Sequence, residues 1–354
     1  MKKILKKIIS PQFVNKIRDF INQVDFAIIP FFSSSRSLSS FYYCFFSRQF
    51  SREHQAVLKG RLAYKQSLNL ISASSVLLRR NIHRLEKGLI MQPRRSLFAT
   101  AYIDETVNCY LKCSKEPQFC KDELKWATDV LTEYFAVITP NGKISELKSL
   151  FEEHNKHDQR EYLFIPYEQN TRSGVVINDT QLEQLFLQRR SVRWYENKHV
   201  ELELIERAVT LASLAPSACN RQPFEFFLLR GDDAVNIANL AMGTAGFSEN
   251  IPALFVVIGD LAAYPAERDK HVIYIDASLA AMQLMLALET LGLSSCPINW
   301  PDIEFREKLI AKKLKLKLNQ RPVMLMSMGY AAQSCKIPYS QKKNAKQLIK
   351  EVKL

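Results

Sequence analysis

The chain has 354 residues, 47% of them hydrophobic, which is enough for two domains, or one large domain with an extension, and excludes global disorder. Its net charge of +13 is unevenly spread: residues 1–100 hold 18 Lys and Arg against 4 Asp and Glu (+14), residues 101–300 sum to −10 and residues 301–354 to +9. Seven cysteines with no Cys-x-x-Cys pair and no Cys/His cluster at zinc spacing argue against a disulfide framework or a zinc finger and read as reduced thiols.

The first segment, "MKKILKKIIS", places Ile4, Leu5, Ile8 and Ile9 on one helical face with lysines elsewhere. That suits an amphipathic helix lying on an anionic bilayer better than a secretory signal, which needs a continuous apolar run. "FAIIPFF" (26–32) is too short to span a membrane and carries Pro30, and no segment reaches the ~18 apolar residues that a span needs. The aromatics of "SSFYYCFFSRQF" (39–50) fit the same interface, so residues 1–50 are expected to make peripheral contact with an anionic membrane from a cytoplasmic location. A solvated basic face, with the aromatics packed against the rest of the protein, is the rival reading. Nucleic acid ranks below membrane, because no recognisable nucleic-acid module appears.

Further on, "ASSVLLRRNIHRLEKGLIM" reads as a helix that starts at its serines, buries Val76, Leu77, Leu78, Ile82 and Leu85, and ends at Gly88. Arg79, Arg80, His83, Arg84 and Lys87 crowd its other side, either as a phosphate-binding stripe or as a wet face, and the wet face ranks first. A second helix covers about Asp122 to Val137, and "TPNGKIS" reads as a turn. Residues 1–150 thus form a basic, mostly helical region, and the polar residues 151–178 a connector. In that connector His154 and His157 lie near Glu152, Glu153 and Asp158; they read as solvent-exposed histidines, and no metal is expected.

From residue 179 the texture changes. "DTQLEQLFLQRRS" is helical with Asp179 or Thr180 as cap, and "ELELIERAVTLASLA" is an amphipathic helix stopped by Pro216. "FEFFLLRG", "ALFVVIGD", "SSCPINW" and "RPVMLMSMGYA" read as strands, and "IYIDASLAAMQLMLALETLGL" as a long helix apolar nearly all round. Continuously apolar strands belong in a layered arrangement with both faces covered.

Two motifs carry chemistry. "RRSVRWYENKHV" sets Arg189, Arg190 and Arg193 around Ser191, and "ASLAPSACNRQPFEFFLL" puts Pro216, Ser217, Asn220 and Gln222 in one turn. Guanidiniums stay charged and bind oxyanions through a bidentate fork. Alone, the first motif is also compatible with arginines complementing a helix C-terminus, and the second with a turn that ends a helix.

Together with "DASLAAMQLMLALETLGLSSCPINW" and "MSMGYA", in this order and spacing, they resemble the nitroreductase family of FMN-dependent oxidoreductases over about residues 180–354. The resemblance implies an α+β fold for 179–354, a mostly antiparallel sheet flanked by helices and preceded by the mostly helical N-terminal extension. It also implies a homodimer with FMN in the interface cleft, the helix Ile273–Leu291 being the candidate dimer core, and NAD(P)H as co-substrate for a two-step hydride transfer to a small-molecule acceptor. By similarity, Arg189, Arg190 and Ser191 hold the phosphate or ribityl chain, and Arg193 the phosphate side or the ring's pyrimidine edge. Pro216, Ser217, Asn220 and Gln222 contact ring and ribityl atoms, and backbone N–H groups around Pro297, Ile298 and Asn299 reach the hydride-accepting region. Lys342, with Lys343 as fallback, matches the family's C-terminal phosphate residue, although the family more often has arginine there with another base two positions earlier, where this chain has Ser340. Cys296 reads as a small buried thiol. No catalytic side chain is assigned, because the cofactor carries the chemistry. The acceptor class is nitroaromatic or quinone-like, or a single metabolite. The alternative from another class is a flavin-degenerate protein that anchors on membrane or polyanion through its basic N-terminal region.

Overall fold

The computed structural model describes residues 11–68, 71–155 and 164–353. Its contacts divide the chain into two compact units, residues 1–55 and 56–354. Within the first lie α1 (Pro11–Phe32), α2 (Arg36–Tyr42) and a π-helical turn, Tyr43–Ser47. Phe13, Ile17, Phe20, Ile21 and Val24 recur at helical spacing along α1. Ser35 caps α2 by accepting from the Leu38 N–H at 3.2 Å. The amphipathic helix expected over residues 1–10 lies outside the described residues.

The second unit takes in most of α3 (Ser51–Ser67) and then α4 (Val76–Leu89), α5 (Ile103–Cys113), α6 (Lys121–Val137) and α7 (Gly142–His154). Helices α4 to α7 enclose a core of their own around Leu78, Ile82, Leu85, Val107 and Leu131, all with zero exposure. Ser75 caps α4 as expected, accepting from the Leu78 N–H at 3.2 Å. Gly88 does not end that helix, which runs to Leu89. A Cβ at Gly88 would stand 2.2 Å from the Phe98 ring, so the glycine serves close packing. The turn expected over "TPNGKIS" is confined to the residues before α7, because Ile144, Leu147 and Phe151 recur at helical spacing and are buried. His154 bonds Ser114 Oγ through Nε2 at 2.8 Å, and His157 lies outside the described residues.

Beyond the irregular segment at 164–178 come α8 (Asp179–Gln188), α9 (Leu202–Ala212), β1 (Phe224–Arg230), α10 (Gly231–Ala238), β2 (Ala253–Asp260), α11 (Val272–Thr290), β3 (Ser294–Asn299), α12 (Glu304–Leu314), β4 (Gln320–Gly329) and α13 (Ala345–Leu348). Asn178, not Asp179 or Thr180, caps α8: its Oδ1 accepts from the Gln181 N–H at 2.9 Å, and Gln181 Oε1 accepts from the Asn178 N–H at 3.0 Å. This reciprocal box satisfies two helix-end donors, which a single Asp or Thr hydroxyl cannot do.

The sheet has the order β1-β2-β4-β3 with every neighbouring pair antiparallel. Because side chains alternate along a strand, β2 sends Ala253 and Phe255 to one face, against α9 and α11, and Leu254, Val256 and Ile258 to the other, against α10. Both faces are covered, which is why the strands read as unbroken apolar runs. α11 buries Ile273, Ala277, Ala280, Ala281, Leu284 and Leu288. By length and composition alone, the stretch Glu267–Thr290 could cross a membrane, but half of it is buried inside the protein. Tyr264, Leu261 and Ile273 pack with Ala56 and Val57 of α3, so α3 packs on the turn that follows β2 and on the start of α11.

Candidate functional site

The sequence-predicted residues gather into two clusters at opposite ends of α11. At its C-terminal end, α8 stops and the chain runs extended along the outer edge of β3, where Ser191 forms a parallel bridge with Ser295 and the Val192 N–H donates to Ser295 O at 3.1 Å. Tyr195 pins this segment. Its hydroxyl donates to Val192 O at 2.7 Å and lies 2.8 Å from Ser327 Oγ, while Asn250 accepts from the Tyr195 N–H at 2.5 Å and donates to Tyr195 O at 3.1 Å. Burial pushes the Tyr195 phenol up, so it stays a neutral hydrogen-bonding anchor. Tyr195, Asn250 and Ser327 escaped the sequence reading; the only signal was an aromatic four residues past Ser191.

The three arginines differ. Arg190 Nη1 donates to Phe186 O at 2.9 Å and to Arg189 O at 3.0 Å, which ties one corner of its guanidinium to the end of α8. Arg193 donates once, to Ser191 O at 3.2 Å, and lies 5.9 Å from the Phe247 ring centroid. Among the described residues, Arg189 and Arg193 have no carboxylate ion pair. Nearby, burial raises the Glu289 carboxyl, with Gln188 and Arg189 opposing that shift, and burial raises the Cys296 thiol with Arg193 opposing. Cys296 is therefore a core thiol and not a thiolate. Ser295 Oγ is fully enclosed with no hydrogen-bond partner.

On β3, the Ser295 carbonyl points outward to Val192, so alternation also turns the backbone of Pro297 and Asn299 outward and that of Ile298 toward β4. Proline, without an N–H, occupies the position where the ladder needs no donor. The Ile298 side chain is core. Lys342 and Lys343 are exposed, and no contact joins them to this cluster among the described residues.

At the N-terminal end of α11 lies the Pro216–Gln222 turn. Cys219, Asn220 and Gln222 have φ of 53°, 50° and 49°, a left-handed run that costs non-glycine residues roughly 1–3 kcal/mol each and persists only when neighbours over-determine it. The Gln222 N–H donates to Ser217 Oγ at 3.1 Å, and Gln222 Nε2 donates to Asn220 Oδ1 at 3.3 Å. From α11, Asp276 Oδ2 accepts the Ala218 N–H at 2.9 Å and the Tyr264 hydroxyl at 3.3 Å. Burial raises the Asp276 carboxyl, and those two donors oppose the shift. From α4, Arg79 Nε donates to Asn220 O at 2.9 Å, while its Nη1 ion-pairs with Glu123 at 3.0 Å. Glu123 also accepts from Ser74 Oγ at 2.6 Å and the Ser75 N–H at 3.0 Å. Arg221 Nη1 donates to Ala218 O at 3.1 Å, and its Nε is enclosed with no partner. The stripe on α4 ranked first as a wet face is half-buried at Arg79, which holds the turn in place.

The cluster at the C-terminal end of α11 thus offers donors without acceptors, the Arg189 fork and most of the Arg193 fork, whereas Ser295 Oγ and Arg221 Nε are unpartnered but enclosed. Guanidiniums without a carboxylate partner fit an oxyanion such as a phosphate. At about 1.5 Å per residue, the thirteen-residue step from Asp276 to Glu289 separates the clusters by roughly 20 Å. Between them α11 exposes Ile275, Leu279 and Met282, at 50%, 42% and 39%.

The sequence profile of the nitroreductase family matches residues 186–246 and 239–330. An Archaeoglobus fulgidus protein named as an NADH dehydrogenase/NAD(P)H nitroreductase is 31% identical over 144 residues, covering 40% of this chain and 80% of that protein. The iodotyrosine deiodinase of Haliscomenobacter hydrossis is 25% identical over 212 residues, covering 51% of this chain and 94% of its own length. Among solved structures, an FMN-dependent nitroreductase from Clostridium difficile R20291 is 28% identical, with a TM-score of 0.38 over 44% of this chain and 91% of that one. The flavin-degenerate alternative finds no support in these likenesses.

Proposed function

The chain belongs to the nitroreductase family, and on that premise we propose that residues 179–354 are an FMN-binding domain that passes reducing equivalents from NAD(P)H to a small acceptor. The observation that carries this reading is the pair of guanidiniums at the C-terminal end of α11, Arg189 and Arg193, which have no carboxylate ion pair among the described residues, with the polar Pro216–Gln222 turn at the other end. Arg189, with Arg193 and Ser191, holds the phosphate and the adjoining hydroxyls; Arg190 stabilises the helix end beside them. Ser217, Asn220 and Gln222 present hydrogen-bonding groups to the ring and ribityl chain, and the outward backbone of Pro297 and Asn299 supplies further polar groups at the ring's edge. When bound, the flavin supplies hydride acceptance and donation. The protein orients the partners and keeps water out.

Both clusters serve one ligand only if a second copy of the chain completes the site. Met282 lies near the midpoint between Asp276 and Glu289, so a two-fold axis there sets the start of one α11 beside the end of the other. The exposed apolar stripe Ile275, Leu279, Met282 then becomes the self-complementary contact. The acceptor is nitroaromatic or quinone-like, or one metabolite admitted past the helical layer that reaches the turn through Arg79.

The visible spectrum of the purified protein, recorded before and after anaerobic NADH or NADPH, tests this reading. A two-banded flavin spectrum that bleaches is expected. A colourless protein that takes up no added FMN overturns it.

A further inference from the structure

Residues 1–55 are compact in their own right, yet none of the described residues 12–55 is buried. Phe26, Phe31, Phe45 and Phe46 are 72%, 64%, 65% and 59% exposed. Water does not tolerate so much contiguous aromatic surface on a unit that has no core to offset it, so something covers it.

Three observations identify what does. The first is shape. The stripe from Phe13 to Val24 occupies one face of α1, but from Phe26 to Phe32 the helix is apolar all round, and Phe32 packs beside Phe41 and Phe46 with ring centroids 6.4 and 5.3 Å apart. A protein groove covers one face of a helix, whereas a fluid apolar phase covers all of them.

The second is polar satisfaction. Serines of the turn between α1 and α2 and of α2 itself turn their hydroxyls onto the backbone carbonyls at the end of α1: Ser33 Oγ to Pro30 O at 3.2 Å, Ser34 Oγ to Phe31 O at 2.7 Å, and Ser39 Oγ to Phe32 O at 2.9 Å. These bonds give the carbonyls of Pro30, Phe31 and Phe32 partners within the chain, as backbone next to hydrocarbon requires, although the same bonding also occurs in water-facing helices such as that of Ser213. Likewise Asp25 accepts a hydrogen bond from the Tyr42 hydroxyl.

The third is charge. Residues 1–50 carry 8 Lys and Arg against 2 acids, Asp19 and Asp25. Lys16 borders the phenylalanine stripe of α1 and Arg18 lies on its polar side, and Arg36 opens α2. Interfacial helices on anionic lipid combine an apolar face with cations opposite it. α1 is not apolar enough to count as a membrane span.

We propose that residues 11–50 dock this protein on an anionic lipid surface, with α1 and α2 lying in the plane of the headgroup–acyl boundary. The phenylalanines sit in the acyl region, and Lys16, Arg18 and Arg36 at the phosphates. The flavin-site reading plays no part in this inference.

The test uses the full chain and vesicles of phosphatidylcholine, with or without one-third phosphatidylglycerol. The protein is expected to float with the anionic vesicles, less so in high salt. Phe→Ser changes at 26, 31, 45 and 46 are each expected to weaken binding about tenfold, while the unfolding midpoint of residues 56–354 stays unchanged. A Phe45→Trp variant, which leaves the surface apolar, is expected to shift its emission to shorter wavelength when anionic vesicles are added. No flotation, or equal flotation with both vesicle types, overturns the proposal. So does a Phe45→Trp emission already shifted without lipid and reversed by dilution, the mark of a second copy covering the surface.

Discussion

Arg189 is the side chain whose environment is hardest to explain without a ligand. It follows the end of α8 and finds no carboxylate partner among the described residues, while Arg190 next to it holds two backbone carbonyls of the helix end through Nη1. A charge-assisted bidentate contact contributes about 1.5–3 kcal/mol, so Arg189→Ala should raise the FMN dissociation constant roughly 10- to 100-fold, read by titrating the apoprotein. Arg190→Ala should change it by much less. Asp276 makes a pH statement. Burial raises its carboxyl from the ordinary value of 3.8, so above that value the folded protein holds a proton that the unfolded chain has lost. Stability therefore falls as pH climbs from the ordinary carboxylate value through the raised one, and is flat beyond it. Asp276→Asn keeps an acceptor for the Ala218 N–H and abolishes this slope. Urea midpoints across the acid range should show the variant gaining on the parent as pH rises through that window; a constant offset would exclude Asp276 as the titrating group.

At the scale of elements, the Pro216–Gln222 turn shows how far local sequence carries. Its residue types announced a turn with hydrogen-bonding side chains. Its left-handed run at Cys219, Asn220 and Gln222 was illegible, because no glycine marks it and its restraints come from Asp276, 58 residues away, and Arg79, 141 residues away. The four strands and α11 were legible because apolar runs bounded by turn residues leave few alternatives. α12 was not, since its lysine-rich sequence buries little beyond Ile310 and Glu307. Arg79 also joins the helical layer to the site, and its two roles separate experimentally. Arg79→Ala strands Glu123, 5% exposed, at a cost of about 3 kcal/mol, measurable by urea unfolding. Adding Glu123→Gln removes the stranded charge and should recover most of that loss. Flavin affinity should stay weakened in the double variant, because the Asn220 carbonyl is still unheld. The layers themselves meet closely: a Cβ at Gly60 would lie 2.6 Å from Leu261 Cβ and 2.8 Å from its carbonyl oxygen. Gly60→Ala should therefore destabilise residues 56–354 by about 1–3 kcal/mol, with the flavin spectrum of the folded fraction intact.

For the whole molecule, the proposed two-chain site would make assembly and cofactor binding one equilibrium. A ligand that needs Arg189 from one chain and the Ser217–Gln222 turn from another binds only the dimer, and by linkage it stabilises that dimer by its own binding free energy. Met282 ends the exposed α11 stripe Ile275, Leu279, Met282; if the proposed two-fold axis passes beside it, Met282→Lys sets two ammonium groups against each other in an apolar contact. Neither Met282 nor its immediate neighbours belongs to the donor clusters. Sedimentation of the variant should show a monomer, and FMN titration of the same sample should show affinity lost in parallel, recovering as protein concentration drives reassociation. A variant that stays monomeric and still binds FMN with parental affinity would mean that one chain holds the whole site. The roughly 20 Å between the ends of α11 would then have to be spanned by the ligand itself, and the division of labour between Arg189 and the Pro216–Gln222 turn would have to be redrawn.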